Sequence, residues 1–181
     1  GLPDCLTILS AGGSQGASRI NDAVVHLLSY EQKKGNINHI HGYGKHGKDT
    51  FMQSLAENGV DPDNEHFIIK EYIDNMYTCM CASDLIITRA GAMTLTELMA
   101  IGRASILIPY PYAAENHQYY NALTLQNANA GRIIDDKELT GAVLIDTVTK
   151  LADDPELLKL MSENAAKLSK HDAAGVILRE I

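Results

Sequence analysis

Short apolar runs alternate with helical patterns along the chain, and this alternation constrains the fold more than any other feature. Apolar runs predict strands over residues 6–10, 37–41, 66–69, 85–88, 105–108 and 132–134. Apolar residues at helical spacing predict helices over residues 19–33, 50–57, 75–81, 94–101, 116–127, 140–152, 155–168 and 173–179. Strands alternating with helices indicate a parallel sheet covered on both faces. We therefore predict an α/β fold, a three-layer sandwich with a mostly parallel six-stranded sheet.

The composition is that of an ordinary globular protein with a net negative charge. The chain has 181 residues, which suits one domain or one half of a larger enzyme. Its formal charge of −8 argues against nucleic acid and anionic membranes as partners of the chain as a whole. No apolar stretch approaches the ~20 residues that a membrane helix needs. The three cysteines lack metal-site spacing, which favours reduced thiols in a cytosolic protein.

A glycine-rich turn follows the first predicted strand and precedes the first predicted helix. This glycine turn, residues 12–17, has the sequence Gly-Gly-Ser-Gln-Gly-Ala. Gly12, Gly13 and Gly16 permit unusual backbone conformations and a close approach to a ligand, and Ser14 adds a hydroxyl donor. Exposed N–H groups and the positive end of a helix dipole attract phosphate. An ordinary strand-to-helix turn remains the alternative, because neither the Walker loop nor the dinucleotide fingerprint is present.

A second turn of small residues follows the fourth predicted strand. This alanine turn, residues 89–94, has the sequence Arg-Ala-Gly-Ala-Met-Thr and leads into a helix that carries Glu97. Thr94 is positioned either to cap that helix or to donate to a ligand oxygen. Glu97 lies at the spacing of a capping box with Thr94, but its carboxylate is also able to accept both hydroxyls of a ribose. Two phosphate-attracting turns and a nearby carboxylate predict a site for a nucleotide diphosphate.

Polar side chains cluster after the fifth predicted strand, in a loop that two prolines stiffen. This proline loop spans residues 109–118 and ends with Glu115, Asn116, His117 and Gln118. These side chains are able to hydrogen-bond several sugar hydroxyls. A solvated helix start with ordinary capping is the alternative, but the density of amide and imidazole groups at a strand end favours ligand contact.

Two further groups of residues give weaker signals. The tyrosine segment, residues 71–76, follows the third predicted strand, where an apolar side chain can cover a base, but Ile73 is more typical of a core residue. His39 and His41 share a face of the second strand. A metal site would need a carboxylate or a third histidine placed beside them, which only the geometry can show, and a core or solvated role is favoured. No Ser-His-Asp or Cys-His arrangement stands out.

Taken together, these motifs resemble a known enzyme family. The chain is similar, over essentially its whole length, to the C-terminal half of the MurG-type transferases of glycosyltransferase family 28. The resemblance rests on the glycine turn, the alanine turn and residues 72–76 and 116–118 at matching spacing, although the family varies at the positions of Glu115, Asn116 and His117. Single residues that also match are Asn21, Glu97, Asn121, Ala122, Gly131, Leu139 and Thr140.

The resemblance implies the donor-binding half of a two-domain, inverting glycosyltransferase of the GT-B type, with a Rossmann-like sheet. Such enzymes move N-acetylglucosamine from UDP-GlcNAc to lipid I, forming lipid II in peptidoglycan synthesis at the inner face of the bacterial membrane. An N-terminal half, absent from this chain, is expected to bind the lipid-linked acceptor, contact the membrane and carry the catalytic base. No tightly bound cofactor and no metal are expected. Gly1 is not an initiator methionine, which agrees with a piece cut from a longer protein.

The resemblance also assigns roles to individual residues. The backbone at Ile73 reads the uracil, and Glu97 holds the ribose hydroxyls. An arginine that the family uses just upstream is not present in this chain. The remaining assignments are Gly13, Ser14 and Gln15 with Ala92, Met93 and Thr94 for the diphosphate, and Gln118 with His117 and Glu115 for N-acetylglucosamine.

Two other functions remain open at this point. The chain is also compatible with a stand-alone nucleotide-sugar-binding subunit of a split, membrane-anchored glycosyltransferase. A nicotinamide-dependent oxidoreductase on a similar fold is the third hypothesis, and the missing dinucleotide fingerprint argues against it.

Overall fold

Six strands form one parallel sheet in the computed structural model, which describes residues 2–169. In chain order they are β1 (Leu6–Ala11), β2 (Ile37–Gly42), β3 (Phe67–Lys70), β4 (Leu85–Thr88), β5 (Ala104–Leu107) and β6 (Gly131–Ile133). Their spatial order is β3-β2-β1-β4-β5-β6, and every pairing is parallel. The predicted six-stranded sheet is therefore confirmed, and the observed strand ends differ from the predicted ones by at most one residue.

Seven α-helices alternate with these strands in the described part of the chain. They are α1 (Ser18–Lys34), α2 (Lys48–Glu57), α3 (Met76–Ala82), α4 (Ala92–Ile101), α5 (His117–Asn127), α6 (Gly141–Ala152) and α7 (Pro155–Lys167). Short 3-10 turns at Ala114–Asn116 and Asp136–Glu138 were not predicted. Asp154 accepts a hydrogen bond from the Leu157 N–H at the start of α7, as a helix cap does. The helix predicted over residues 173–179 lies outside the described residues.

The helices cover both faces of the sheet, because successive strand residues point to opposite sides. Ile8 packs in a core with residues of α1, α2 and α6, whereas the adjacent Leu9 packs in a second core with residues of α3, α4 and α5. Ile87 and Ile86 divide between the same two cores. Each fully buried aliphatic side chain contributes about 1.5–3 kcal/mol. The three-layer sandwich is thus the arrangement that hides both faces of these apolar strands.

The carboxyl ends of β1 and β4 lie side by side, because Ala11 is paired with Thr88. After β1 the chain builds outward through β2 and β3, and it then returns to the other side of β1 with β4. This reversal of strand order creates a crevice at the carboxyl ends, which is where open α/β sheets bind ligands. The glycine turn and the alanine turn both begin at that crevice.

A network of buried, hydrogen-bonded polar side chains connects β1, β2 and α1 just before the glycine turn. The Ser10 Oγ lies 2.7 Å from both the His39 Nε2 and the His41 Nδ1, and the Glu31 Oε2 lies 2.7 Å from the His39 Nδ1. A Ser-His-carboxylate arrangement therefore exists, contrary to the sequence-based expectation. It cannot act on a substrate, because all four residues are buried. His39 and His41 do share a face and belong to the core, as predicted.

Burial controls the ionisation of this network of side chains. Desolvation, together with the nearby His39, lowers the pKa of His41 to about 3. Desolvation also raises the pKa of Glu31, and the contact with His39 partly offsets that rise. Both shifts have the same origin, because a water-free core disfavours the charged form of each side chain.

We expect acid to destabilise the fold through His41. Between pH 6.5 and about pH 3 the unfolded chain binds a proton at this side chain that the folded chain does not, so the free energy of unfolding falls as the pH falls. Lowering the pH from about 7 to about 5 is expected to cost about 2 kcal/mol at this residue. The raised pKa of Glu31 acts in the opposite direction, because the folded state then takes up its proton first.

The measurement is urea denaturation of the wild type, His41→Gln and His46→Gln at both pH values. The His41→Gln variant is expected to lose less stability on acidification than the wild type does. His46 is exposed, so its variant serves as the matched control and should follow the wild type. Equal pH dependence in all three proteins would contradict the assignment.

Candidate nucleotide-sugar site

The glycine turn is held in place by the loop between β2 and α2. Gly16 has a φ of +86°, and an added Cβ there would overlap the carbonyl oxygen of Tyr43. The carbonyl groups of Ser14 and Gln15 accept hydrogen bonds of 3.3 Å from the N–H groups of Lys45 and His46. The conformational freedom of Gly16 is therefore used for packing within the protein.

Gly13 is the residue of this turn that faces open space. Its φ is +94°, and an added Cβ would meet nothing within 4 Å, whereas a Cβ on Gly12 would overlap Ala17. Ser14 and Gln15 are exposed, and their N–H groups donate no hydrogen bond within residues 2–169. Gly12 and Gly16 are thus required for packing within the protein, and the approach of these glycines to a ligand stays a prediction. Free N–H groups beside Gly13 are able to bind an anion.

The alanine turn opens directly into the first turn of α4. Gly91 is the N-cap, with no side-chain capping bond, and Ala92, Met93 and Thr94 are the first helical residues. The N–H groups of these first residues have no acceptor within the helix, so they carry the positive end of its dipole outward. The first turn contains no acidic side chain that would neutralise it.

This geometry decides between the two explanations of Glu97. Thr94 lies inside α4 and does not cap it, so the capping box that its spacing with Glu97 suggested is wrong. α4 begins two residues earlier than predicted because Gly91 caps it. The side chain of Glu97 is exposed, and its carboxylate forms no hydrogen bond or ion pair with another described residue. Its carboxylate is therefore available to a ligand.

The two turns meet at one cavity of about 90 Å³. Gly13 reaches it from the glycine turn, and Thr94 and Glu97 reach it from α4. The floor is mostly apolar. The full lining is Leu9, Ala11, Gly13, Met76, Met80, Ile86, Ile87, Thr88, Thr94 and Glu97. The volume holds only a few atoms, so a nucleotide would lie across its mouth, with apolar atoms below it and the two turns on either side.

The tyrosine segment places Ile73 in the core, as predicted, and Met76 at the cavity. The Ile73 side chain is 4% exposed and packs in the core, so it cannot cover a base. Met76 lies three residues further on, at the start of α3, and lines the cavity. No sequence signal separates Met76 from Ile73, because α3 begins only at Met76 and Ile73 precedes it in an irregular segment.

The proline loop folds back onto the alanine turn. The Tyr110 N–H donates to the Gln118 Oε1 at 3.0 Å, and the Asn121 Nδ2 donates to the Ala90 carbonyl oxygen at 3.3 Å. The oxygen of Gln118 is therefore occupied by the loop, which leaves its amide nitrogen as the donor available to a ligand. These bonds bring the loop beside the alanine turn at the same edge of the sheet.

The residues before Gln118 are exposed at the rim of the site. Glu115 and Asn116 have φ values of +50° and +54°, in the left-handed region. The His117 Nδ1 donates to the Ala114 carbonyl oxygen at 2.8 Å, so one ring nitrogen is used within the loop. Glu115 and His117 are accessible for sugar contact, but the structure gives them no cavity of their own beside the two turns.

No group of three His, Cys, Asp or Glu side chains among residues 2–169 is arranged to hold a metal ion. In the same residues, none of the helices has the length and apolar character that crossing a membrane requires.

A parallel α/β sheet with a ligand crevice at its strand-order reversal defines the Rossmann-like class of domains, here in the form found in GT-B enzymes. The model of the glycosyltransferase family 28 C-terminal domain matches residues 7–177. The chain belongs to this family, and both the predicted fold class and the predicted resemblance are confirmed.

Individual relatives agree with the family match. The chain is 41% identical over 177 residues to a protein of Desulforamulus reducens named UDP-N-acetylglucosamine--N-acetylmuramyl-(pentapeptide) pyrophosphoryl-undecaprenol N-acetylglucosamine transferase, covering 97% of this chain and 48% of the relative. A Thermoanaerobacter sp. protein of the same name is 42% identical, with 96% and 47% covered. The crystal structure of Acinetobacter baumannii MurG superposes with a TM-score of 0.83 and 28% identity, over 100% of this chain and 50% of that one. The chain spans about half the length of the relatives it matches.

Proposed function

We propose that this chain is the donor-binding half of an inverting glycosyltransferase that moves N-acetylglucosamine from UDP-GlcNAc to lipid I, forming lipid II in peptidoglycan synthesis. The observation that carries the proposal is the single cavity shared by Gly13, Thr94 and Glu97, which come from two separate turns. The names of the relatives, which are N-acetylglucosamine transferases, support this choice of sugar and acceptor.

The proposed diphosphate site uses the N–H groups of both turns. Gly13, Ser14 and Gln15 contribute from the glycine turn, and the start of α4 contributes Ala92, Met93 and Thr94. These groups are already oriented by the fold, so they stabilise the negative charge that the UDP leaving group gains in the transition state. An exposed Met93, with 80% of its surface accessible, is available to cover a bound ligand.

The nucleoside is proposed to lie between α3 and α4. Glu97 accepts hydrogen bonds from both ribose hydroxyls, because a carboxylate offers two oxygens to two neighbouring donors. The backbone at Ile73 reads the edge of the uracil, and the Met76 side chain supports the base from below.

The sugar is proposed to lie against the proline loop. Gln118 donates from its amide nitrogen to a hydroxyl of N-acetylglucosamine, and His117 and Glu115 are further contacts at the exposed rim. The order uracil, ribose, diphosphate and sugar then follows the edge of the sheet from β3 towards β5.

The other half of the reaction is assigned to a second domain. Inversion requires a base that activates the acceptor hydroxyl on the opposite face of the sugar, and we propose that the N-terminal half supplies it. That half also binds the lipid-linked acceptor and holds the enzyme on the inner face of the bacterial membrane. The undecaprenol in the names of the relatives, a lipid, supports a membrane location.

A stand-alone subunit of a split transferase is the less favoured alternative, because the relatives are about twice as long as this chain. A nicotinamide-dependent oxidoreductase has no support from the family match.

The proposed function is tested by titrating the chain with UDP, UDP-GlcNAc and NADH in a calorimeter. UDP and UDP-GlcNAc are expected to bind with a Kd of about 1 mM or below, equivalent to about 4 kcal/mol or more, and the chain alone is expected to transfer no sugar. Binding of NADH but not of UDP would favour the oxidoreductase. If neither UDP nor UDP-GlcNAc gives a binding signal, the proposal is refuted.

Changing Gln118 is expected to weaken the nucleotide sugar more than the nucleotide. Gln118→Glu keeps the oxygen that accepts from Tyr110 and removes the amide donor, so it should weaken UDP-GlcNAc by about 1 kcal/mol more than it weakens UDP. The negative charge that it adds repels the diphosphate of both ligands alike. Gln118→Ala removes both bonds and should weaken UDP-GlcNAc further. Equal losses for UDP and UDP-GlcNAc in the Gln118→Glu variant would show that Gln118 does not contact the sugar.

A further inference from the structure

Arg89, the first residue of the alanine turn, does not line the cavity but joins the elements around it. Its Nη1 lies 2.5 Å from the Asp136 Oδ1, and the side chains of Arg89 and Asp136 are only 15% and 9% exposed. Asp136 belongs to the 3-10 turn that follows β6. The Asp136 Oδ2 also forms an ion pair with the Nε of Arg19, near the start of α1, at 3.3 Å. One carboxylate thus connects the segments that follow β1, β4 and β6.

The same guanidinium holds the beginning of the proline loop. The Arg89 Nη1 donates to the carbonyl oxygens of Ile108 and Pro109 at 3.2 and 3.3 Å, and its Cζ lies 5.6 Å from the centre of the Tyr110 ring. The next backbone group, the Tyr110 N–H, is the one that donates to the Gln118 Oε1. An unbroken series of contacts therefore leads from Arg89 to the side chain proposed to bind the sugar.

We propose that Arg89 is a positioning residue that sets the selectivity of the site for a nucleotide sugar over the free nucleotide. It fixes the distance between the alanine turn, which holds the diphosphate, and Gln118, which reads the sugar. This inference rests on the proposed function. UDP needs only the two turns and the cavity, whereas UDP-GlcNAc needs the turns and Gln118 at the correct separation, so an error in that separation affects the nucleotide sugar alone.

The chemistry of arginine explains why this residue holds the junction. One terminal nitrogen, Nη1, reaches one carboxylate and two carbonyl groups, while the planar guanidinium lies over the Tyr110 ring. A lysine has a compact charge on a flexible stem and lacks the planar group that lies over Tyr110. Displacements of about 1 Å in a positioned group change binding and catalysis by as much as 10²-fold.

The test compares the UDP and UDP-GlcNAc affinities of the wild type, Arg89→Lys, Asp136→Asn and Arg103→Lys, with the thermal midpoint of each. Arg103 is the matched control, because it also donates to a backbone carbonyl group, that of Cys81, at the opposite edge of the sheet. Arg89→Lys is expected to weaken UDP-GlcNAc about tenfold while UDP changes less than about twofold. Asp136→Asn should shift the ratio of the UDP and UDP-GlcNAc affinities in the same direction. Arg103→Lys should lower the thermal midpoint and leave that ratio unchanged.

Several results would overturn the inference. Equal weakening of both ligands by Arg89→Lys, or the same shift in ratio from Arg103→Lys, would assign Arg89 a purely structural role. If Arg89→Lys does not fold, an unchanged ratio in Asp136→Asn is sufficient to reject the inference. Failure of the wild type to bind either ligand would reject the proposed function and this inference together, whereas normal binding with an unchanged ratio would reject the inference alone.

Discussion

Replacing Gly44 by alanine is expected to lower the free energy of unfolding by about 3–4 kcal/mol. Gly44 has a φ of +77°, and an added Cβ would overlap the backbone nitrogen and Cα of Gly16. Neither atom belongs to a flexible side chain, so relief requires that the glycine turn and the loop after β2 move apart. That movement breaks the hydrogen bonds that Lys45 and His46 donate to the turn.

Gly35→Ala is the control for this substitution. Gly35 has a similar φ of +64°, but an added Cβ would meet nothing within 4 Å. Gly35→Ala should lower the free energy of unfolding by only about 1–2 kcal/mol, which is the strain of an alanine in the left-handed region. The measurement is chemical denaturation of both variants. Similar losses would mean that the approach of Gly44 to Gly16 contributes little. Where Gly44→Ala remains folded, its displaced glycine turn should also weaken UDP.

Replacing Glu97 by alanine is expected to weaken UDP by about 1–3 kcal/mol, which is roughly 5- to 150-fold. The carboxylate has no partner among the described residues, and it lines the cavity beside Thr94. The loss therefore comes from the ligand contact. The stability of α4 should be unchanged or slightly higher, because Glu97 belongs to no capping box and alanine favours helices.

The ribose assignment is tested with a second ligand. Glu97→Ala should weaken 2′-deoxy-UDP less than it weakens UDP, because the deoxy ligand already lacks one of the two hydroxyls that donate to the carboxylate. Glu163→Ala, an exposed glutamate on α7, is the matched control and should change neither affinity. An equal penalty for both nucleotides would place the action of Glu97 away from the 2′-hydroxyl.

Most of the fold follows from local patterns in the sequence. The alternation of apolar runs and helical spacing predicted every strand and α-helix of residues 2–169, because period and length are set by the residues of each element themselves. The cap at Asp154 has the same local origin, since the acceptor and the N–H of Leu157 lie within one helical turn. The helix expected over residues 173–179 stays a prediction.

The site was predictable as a set of loops and not as a set of contacts. The small residues of the two turns and the carboxylate at Glu97 identified the carboxyl edge of β1 and β4 from the sequence. The roles of Ile73 and Met76 were not distinguishable, because both occupy a short irregular segment whose orientation depends on the sheet below it. The ligand contacts of Ser14, Thr94, Glu97 and Gln118 stay predictions.

By itself the sequence determined which elements form and which loops carry the small and polar residues, since those properties are encoded within one or two helical turns. Only the tertiary structure decided which glycine supports packing and which faces open space, because Gly16 meets Gly44 across a sequence distance that no local pattern spans. The same holds for Arg89 and Asp136, which are 47 residues apart and carry no shared motif. Contacts of this kind depend on strand order, and strand order is set by how the whole sheet buries its two faces.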